Sequence, residues 1–289
     1  MSFKCSLLTT LALLFSTSQL LRAEEHKTRT SPVAAIVPTE TISLLNGKDL
    51  SQWYTWLSDD LDKDPRHVFT LQPDGTLRIS GDGYGGLTTK KEYKDYHLIT
   101  EFHWGEATWR NRVDRARDSG ILVHCQGPDG SYGRRGDQAG PWMPSIECQI
   151  IEGGVGDILV LRGNDADGKT IESTVTAQIS KDRDGEIVWT AGAPEQIFTK
   201  GRINWFGRDP DWKDVKGFRG KNDVESPGQE WTTLECYAKG DTLTYVVNGT
   251  VVNRATKVFP QQGKILLQTE CAEIFFRRAD LNPLPEEIP

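Results

Sequence analysis

From residue 41 onward, short apolar runs alternate with clusters of Gly, Asp and Pro, the rhythm of strands separated by turns. Fifteen runs read as strands, among them 97–104, 120–125, 145–151, 232–238, 243–247 and 264–269, and no stretch carries the period of a long amphipathic helix. Many strands without helices between them predict an all-β antiparallel sandwich rather than a doubly wound sheet. Turn chemistry agrees. Asn248-Gly249, between YVV and TVV, fits a type I′ hairpin whose two central residues take positive φ. The Asp-rich segments 165–168 and 182–185 lack the ligand spacing of an EF-hand calcium loop and read as ordinary turns.

Alternation sorts the polar side chains onto faces. In 97–104, His97, Ile99, Glu101 and His103 oppose Leu98, Thr100, Phe102 and Trp104. Leu122 and His124 share a face, Glu147 and Gln149 oppose Ile146, Cys148 and Ile150, and Gln268 and Glu270 oppose Ile265 and Leu267. A face that merely met water would mix Lys, Ser and Thr, whereas here His, Glu and Gln recur, which predicts a polar groove. Carboxylates and imidazoles in a groove can move protons on either side of a glycosidic bond. Glu147, His124, His103 and Glu152 are therefore the catalytic candidates, and Gln149, Glu101, Glu270 and Gln268 are candidates for binding substrate. Glu147, Gln149 and Glu152 are spaced as in the Glu-x-Asp-x-x-Glu strand of jelly-roll β-glucanases, which they resemble with Gln149 in place of the middle acid; Glu152 joins that face only if a bulge shifts its phase.

The same donors offer an alternative, since His103, His124, Glu101 and Glu147 could converge on a divalent metal. No HExxH or paired Cys/His spacing accompanies them, so no cofactor is expected and the metal stays an alternative. Nucleophile-elbow (GxSxG) and phosphate-loop motifs are absent.

Three irregular segments break the strand rhythm: 106–118 with four Arg, 126–144 with Arg134, Arg135 and Trp142, and 200–228 with Trp205, Phe206 and Trp212. Loops of this length in a domain are commonly functional, and Trp109, Trp142 and Arg117 are candidates for a sugar-binding rim. With 34 Lys+Arg against 41 Asp+Glu in 289 residues, the chain lacks the basic excess of a nucleic-acid binder, and nine Trp argue against disorder.

Residues 1–23 read as a signal peptide, with Lys4, an apolar stretch broken by Thr and Ser, and Ala23 before the cleavage point. Cleavage there removes Lys4, Arg22 and no acid, leaving 32 basic and 41 acidic residues, net -9, in a secreted or periplasmic protein with no membrane span. Residues 24–40 read as a flexible leader, 41–285 as one domain and 286–289 as a tail. Cys125 and Cys148 lie in apolar runs, where a buried thiol is the simplest reading, although an oxidising compartment permits disulfides.

Leu45-Asn46-Gly47-Lys48-Asp49-Leu50-Ser51-Gln52-Trp53, the Gly-Gly-Leu-Thr-Thr run at 85–89 with Lys-Glu-Tyr-Lys-Asp-Tyr at 91–96, Asp118-Ser119-Gly120-Ile121, Glu147-Cys148-Gln149-Ile150 and the closing segment 263–284 together resemble the 3-keto-disaccharide hydrolase family over most of 42–284. The resemblance implies a concanavalin-like β-jelly roll, secreted by glycan-degrading bacteria, acting on glycosides oxidised to a ketone at C3. Such a ketone acidifies the C2 proton; a base removes it, the C1 leaving group departs with help from an acid, and hydration completes a net hydrolysis. For that chemistry the strand faces offer Glu147, His124 and His103 as candidates for base and acid, with Gln149 and Glu270 orienting hydroxyls. A non-catalytic, lectin-like carbohydrate-binding module on the same fold is the competing expectation, because Trp platforms stack on sugars without acid/base chemistry.

Overall fold

In the computed structural model, which describes residues 34–136, 138–165 and 167–289, most strands assemble into two antiparallel sheets, and Gly163–Asn164 pairs with Thr170–Ile171 as a separate two-stranded ladder. The expected signal segment 1–23, and the part of the leader before residue 34, lie outside the described residues. One sheet has seven strands in the order Gly201–Ile203, Ile158–Leu161, Ser145–Ile151, Asp118–Cys125, Lys264–Glu270, Tyr84–Thr89 and Trp53–Leu57. The other has eleven, with Tyr96–Thr108 between Thr232–Lys239 and Ala272–Asn282. The last two long strands of the chain thus enter different sheets, Lys264–Glu270 beside Asp118–Cys125 and Ala272–Asn282 beside Tyr96–Thr108. Among the described residues the only helix is the 3-10 turn Arg110–Arg112.

Both sheets contribute to one apolar core. Ile146, Cys148, Ile150, Ile121, Ile265 and Leu267 come from the seven-stranded sheet and Phe102, Trp104, Leu234, Tyr245, Val252 and Phe276 from the other. This is the all-β sandwich that the strand rhythm predicts, with sheets resembling a concanavalin-like jelly roll. Asn248 and Gly249 have φ of 46° and 81°, as the hairpin chemistry requires. Cys125, Cys148, Cys236 and Cys271 are all free and buried.

Trp53–Leu57 is a strand that the pattern did not disclose. WYTWL has no polar alternation: Trp53 and Leu57 are buried, while Tyr54 and Trp56 are half-buried beneath the 126–144 segment. Upstream of it, Ile36 bridges to Tyr93 through hydrogen bonds of 2.9 and 3.0 Å with its neighbours Glu92 and Lys94.

Candidate active site

The outer face of the seven-stranded sheet carries the polar cluster. Register puts Leu122 opposite Glu147, Gly120 opposite Gln149, Leu266 opposite Leu122, and Glu270 opposite Tyr84. Glu147 and Gln268 stand on strands that flank Asp118–Cys125, and they meet above Gly120. A Cβ at position 120 would collide with Oε1 of Glu147 and lie 3.1 Å from Oε1 of Gln268. Glycine here is a matter of space for two neighbouring side chains.

Glu147 is 2% exposed and Gln268 1%, yet Oε1 of Glu147 and both amide atoms of Gln268 have no protein hydrogen-bond partner. Buried polar atoms are normally paired, and leaving one unpaired costs about 1–3 kcal/mol. Three such atoms belong to the two side chains that meet above Gly120. Burial, reinforced by the charge of Glu270, pushes the Glu147 carboxyl up to about 8, with Arg202 pulling the other way.

The neighbouring Gln149, Asp118 and Asp157 have their side-chain polar atoms paired instead. Gln149 donates through Nε2 to Asp118 Oδ1 and to the Ser119 carbonyl at 3.3 Å, and its Oε1 accepts from Arg202 at 3.1 Å. Asp118 also accepts from Arg112, whose guanidinium lies 3.5 Å from Glu270 Oε1 and 3.4 Å from Asp214. Arg202 is held in turn by the fully buried Asp157 at 3.1 Å, which also takes Arg208 and the Trp205 N–H at 2.9 Å. Glu270 is raised by burial against the opposing pull of Arg112 and Arg202. The site therefore holds two carboxyls displaced toward neutrality, Glu147 and Glu270, in a frame of arginines.

The 126–144 segment folds back over this face. Tyr132 N–H donates to the Trp142 carbonyl at 2.9 Å and the two rings stack at 6.0 Å. With Met143 they pack on Leu122, Leu161 and Leu266. The Trp142 indole donates to the Gly85 carbonyl at 2.9 Å and meets Tyr84 edge-on at 6.3 Å. A cavity of about 520 Å³ opens there, walled by Tyr84, Tyr132, Trp142, Arg110 and Asp59, and Tyr84 is the cross-strand neighbour of Glu270. Aromatic walls beside polar groups are the usual make-up of a small-molecule site.

A family model described as the 3-keto-alpha-glucoside-1,2-lyase-like domain matches residues 40–282. The chain belongs to that family. Among solved structures, a candidate glycosyl hydrolase from Parabacteroides distasonis is 16% identical, covering 85% of this chain and 94% of its own, at a TM-score of 0.45. A Bacillus licheniformis β-glucanase is 10% identical over 84% of this chain and 98% of its own, TM-score 0.40. A carbohydrate-binding module from Bacillus subtilis is 9% identical over 79% and 94%, TM-score 0.40. No curated protein matches the chain.

Within this lyase-like chain, the sequence candidates separate. Glu147, Gln149, Gln268, Glu270 and Trp142 come together as above; the others do not. His103 and Glu101 lie on Tyr96–Thr108, a strand of the other sheet, and face outward from it. His103 packs on Phe275 and Trp231, and Glu101 pairs with Arg277 and, at 3.4 Å, with Arg278. Alternation identifies a face of a strand, and it cannot say which sheet the strand joins.

His124 departs for a different reason. Its φ is +56°, next to the irregular register between Asp118–Cys125 and Lys264–Glu270, so alternation fails at that residue. The imidazole turns away from Glu147, sits fully buried edge-on to Tyr96, and donates from Nδ1 at 2.8 Å to the Pro260 carbonyl. Burial lowers its pKa to about 4.

Glu152 finds no bulge that would turn it into the groove. Its carboxylate takes the Arg117 guanidinium at 2.5 and 2.9 Å, the Arg117 N–H at 2.8 Å and the Gly217 N–H at 3.0 Å, which fixes both Glu152 and Arg117 as scaffold. Trp109 donates to the Ser80 carbonyl at 2.9 Å and is no part of the cavity wall. With His103, His124 and Glu101 away from Glu147, the donor set envisaged for a metal does not converge, and no group of three metal-ligating side chains occurs among the described residues.

Asp118, Arg112, Arg202 and Asp157 join the site although none of them is a candidate by strand alternation. Asp118 stood in a family motif, but the arginines come from loops and an edge strand, where nothing periodic announces them.

Proposed function

We propose that this protein is a carbohydrate-active enzyme that cleaves the glycosidic bond of 3-keto-glycosides by elimination, in the groove between Glu147 and Glu270. The observation that carries the reading is the unpartnered Glu147 carboxyl, buried, raised to about 8 and facing an equally unpartnered Gln268 amide over Gly120. Membership of the lyase-like family supports the substrate class.

At neutral pH Glu147 keeps its proton and is suited to be the general acid. Glu270, displaced upward but restrained by Arg112, is suited to be the base. Glu270 takes the C2 proton, the C2–H electrons form the C2=C3 enolate, the C1–O bond breaks, and Glu147 protonates the departing oxygen. Gln268 Nε2 donates to the C3 oxygen as charge gathers there, with the Arg112 and Arg202 guanidiniums supplying positive potential. The products are an alcohol and a 2-hydroxy-3-keto-glycal, and addition of water to the latter completes a net hydrolysis. Trp142, Tyr132 and Tyr84 form the wall for the leaving group. On the reading of residues 1–23 as a signal, the enzyme works outside the cytoplasm.

The test is incubation of the mature protein with a 3-keto-glucoside and with its unoxidised parent, followed by product analysis. Cleavage of the keto sugar alone is expected. Cleavage of neither, with sugar binding preserved in Glu147→Gln, replaces the enzyme by a lectin-like module.

A further inference from the structure

We propose a second carbohydrate-binding site on the outer face of the eleven-stranded sheet, formed around His103, Phe275 and Trp231 and taking a neutral hexopyranose unit of a glycan chain. These three aromatics stand in one row across two strands and the residue that precedes a third. His103 and Phe275 are register partners, and the pairing of Thr232 with Phe102 sets Trp231 on the other side of His103. The His103 and Phe275 rings are nearly parallel, 4.9 Å apart at 18°, while Trp231 meets His103 at 4.4 Å and 76°. Cross-strand aromatic pairs stabilise a sheet face on their own, and here they also border an open cavity.

The row is the floor of a cavity of about 410 Å³ whose opposite wall is the 72–76 turn, with Gln72 and Asp74 lining it. That turn is tied by Gln72 N–H to the Thr76 carbonyl at 2.7 Å and by Asp74 Oδ1, which accepts from Thr76 N–H at 3.0 Å. The tautomer of His103 follows from its partner. Nδ1 lies 2.9 Å from the Trp104 carbonyl, which can only accept, so Nδ1 carries a proton and in the neutral imidazole Nε2 is the acceptor. Among the described residues Nε2 has no partner.

A pyranose ring has these same two kinds of surface: a C–H face that packs on an aromatic ring, and a rim of hydroxyls that need acceptors and donors. Phe275 supplies the first; His103 Nε2, the Asp74 carboxylate and the Gln72 amide supply the second. The nearby cations are already neutralised, Arg277 by Glu101 and Arg78 by Glu273 at 2.7 Å, so the cavity offers an anionic ligand no free positive charge. Arg277 also covers Trp231 at 4.6 Å and fixes that wall. A site on this sheet would hold the protein on a glycan while the groove on the other sheet acts elsewhere.

The experiment titrates the mature protein with unoxidised cellotriose, maltotriose and laminaritriose, following tryptophan fluorescence and calorimetry, so that it is independent of the reaction proposed for the groove. Saturable binding of at least one sugar is expected in the native protein and in Glu147→Gln. Trp231→Ala, Phe275→Ala and Asp74→Ala should each weaken it about tenfold or more, without changing turnover of a small 3-keto-glucoside. Asp74 lies on an exposed turn, so its variant tests the site even if Phe275→Ala fails to fold. Absence of saturable binding by all three sugars overturns the proposal. So does binding that survives in Asp74→Ala and Trp231→Ala but disappears in Glu147→Gln.

Discussion

Glu147 and Gln268 approach the same point in space, the place where residue 120 would carry a side chain if it were anything other than glycine. Each is buried and each keeps a polar atom without a partner. A folded protein tolerates that cost where a ligand supplies the missing partner, which is the role proposed for this pair.

Gly120→Ala tests this packing directly. The added methyl collides with the Glu147 carboxylate and displaces it, at an overpacking cost of about 1–3 kcal/mol. Cleavage of a 3-keto-glucoside should fall by about a hundredfold or more while circular dichroism still reports a folded sandwich, because a misplaced acid costs rate before it costs the fold. Unchanged kcat/KM would show that the space above Gly120 is not used.

Replacing Glu147 by Gln should reduce turnover by about 10²–10⁴ and alter the pH dependence of stability. The carboxyl has its ordinary value of 4.5 when unfolded and about 8 when folded. Between those values the folded state keeps a proton that the unfolded state has released, so native stability is lost as pH rises through this window. The slope is up to about 1.4 kcal/mol per pH unit for this group. Denaturant titrations from pH 5 to 8 should therefore show Glu147→Gln gaining on the native protein steadily with pH; parallel curves would contradict the raised value.

Arg117 and Glu152 should behave as scaffold. Arg117→Ala leaves a buried carboxylate with one of its partners gone, and breaking a buried pair in this way costs about 3–5 kcal/mol. Equilibrium unfolding should register that loss, while kcat of the remaining folded protein stays within about threefold. A large fall in kcat at full stability would return Glu152 to the catalytic set.

His103→Ala should leave turnover of a small 3-keto-glucoside within about twofold, since the imidazole lies on the other sheet's outer face. Steady-state kinetics decide it, and a hundredfold loss would mean that the two faces communicate.

Much of this site was legible residue by residue. Glu147 with Gln149, and Gln268 with Glu270, were assigned to shared faces by the two-residue period, and the structure brings those faces side by side. What alternation could not supply was pairing between strands: His103 and His124 looked alike in sequence, yet one joined the other sheet and the other turned at a left-handed backbone position. Arg112 and Arg202 lie in irregular segments that the sequence marks as functional, but their individual positions, and that of Asp157, follow from tertiary packing that no period encodes.

Loss of the C2 proton to a groove carboxylate is the proposed first step of bond cleavage. It is tested by a 3-keto-glucoside carrying deuterium at C2, with mass analysis of the released sugar and free deuterated 3-keto-glucose as the exchange control. The account predicts that the native protein releases sugar without the label and that Glu270→Gln leaves the substrate intact and labelled. Release of sugar that still carries deuterium at C2 would contradict it.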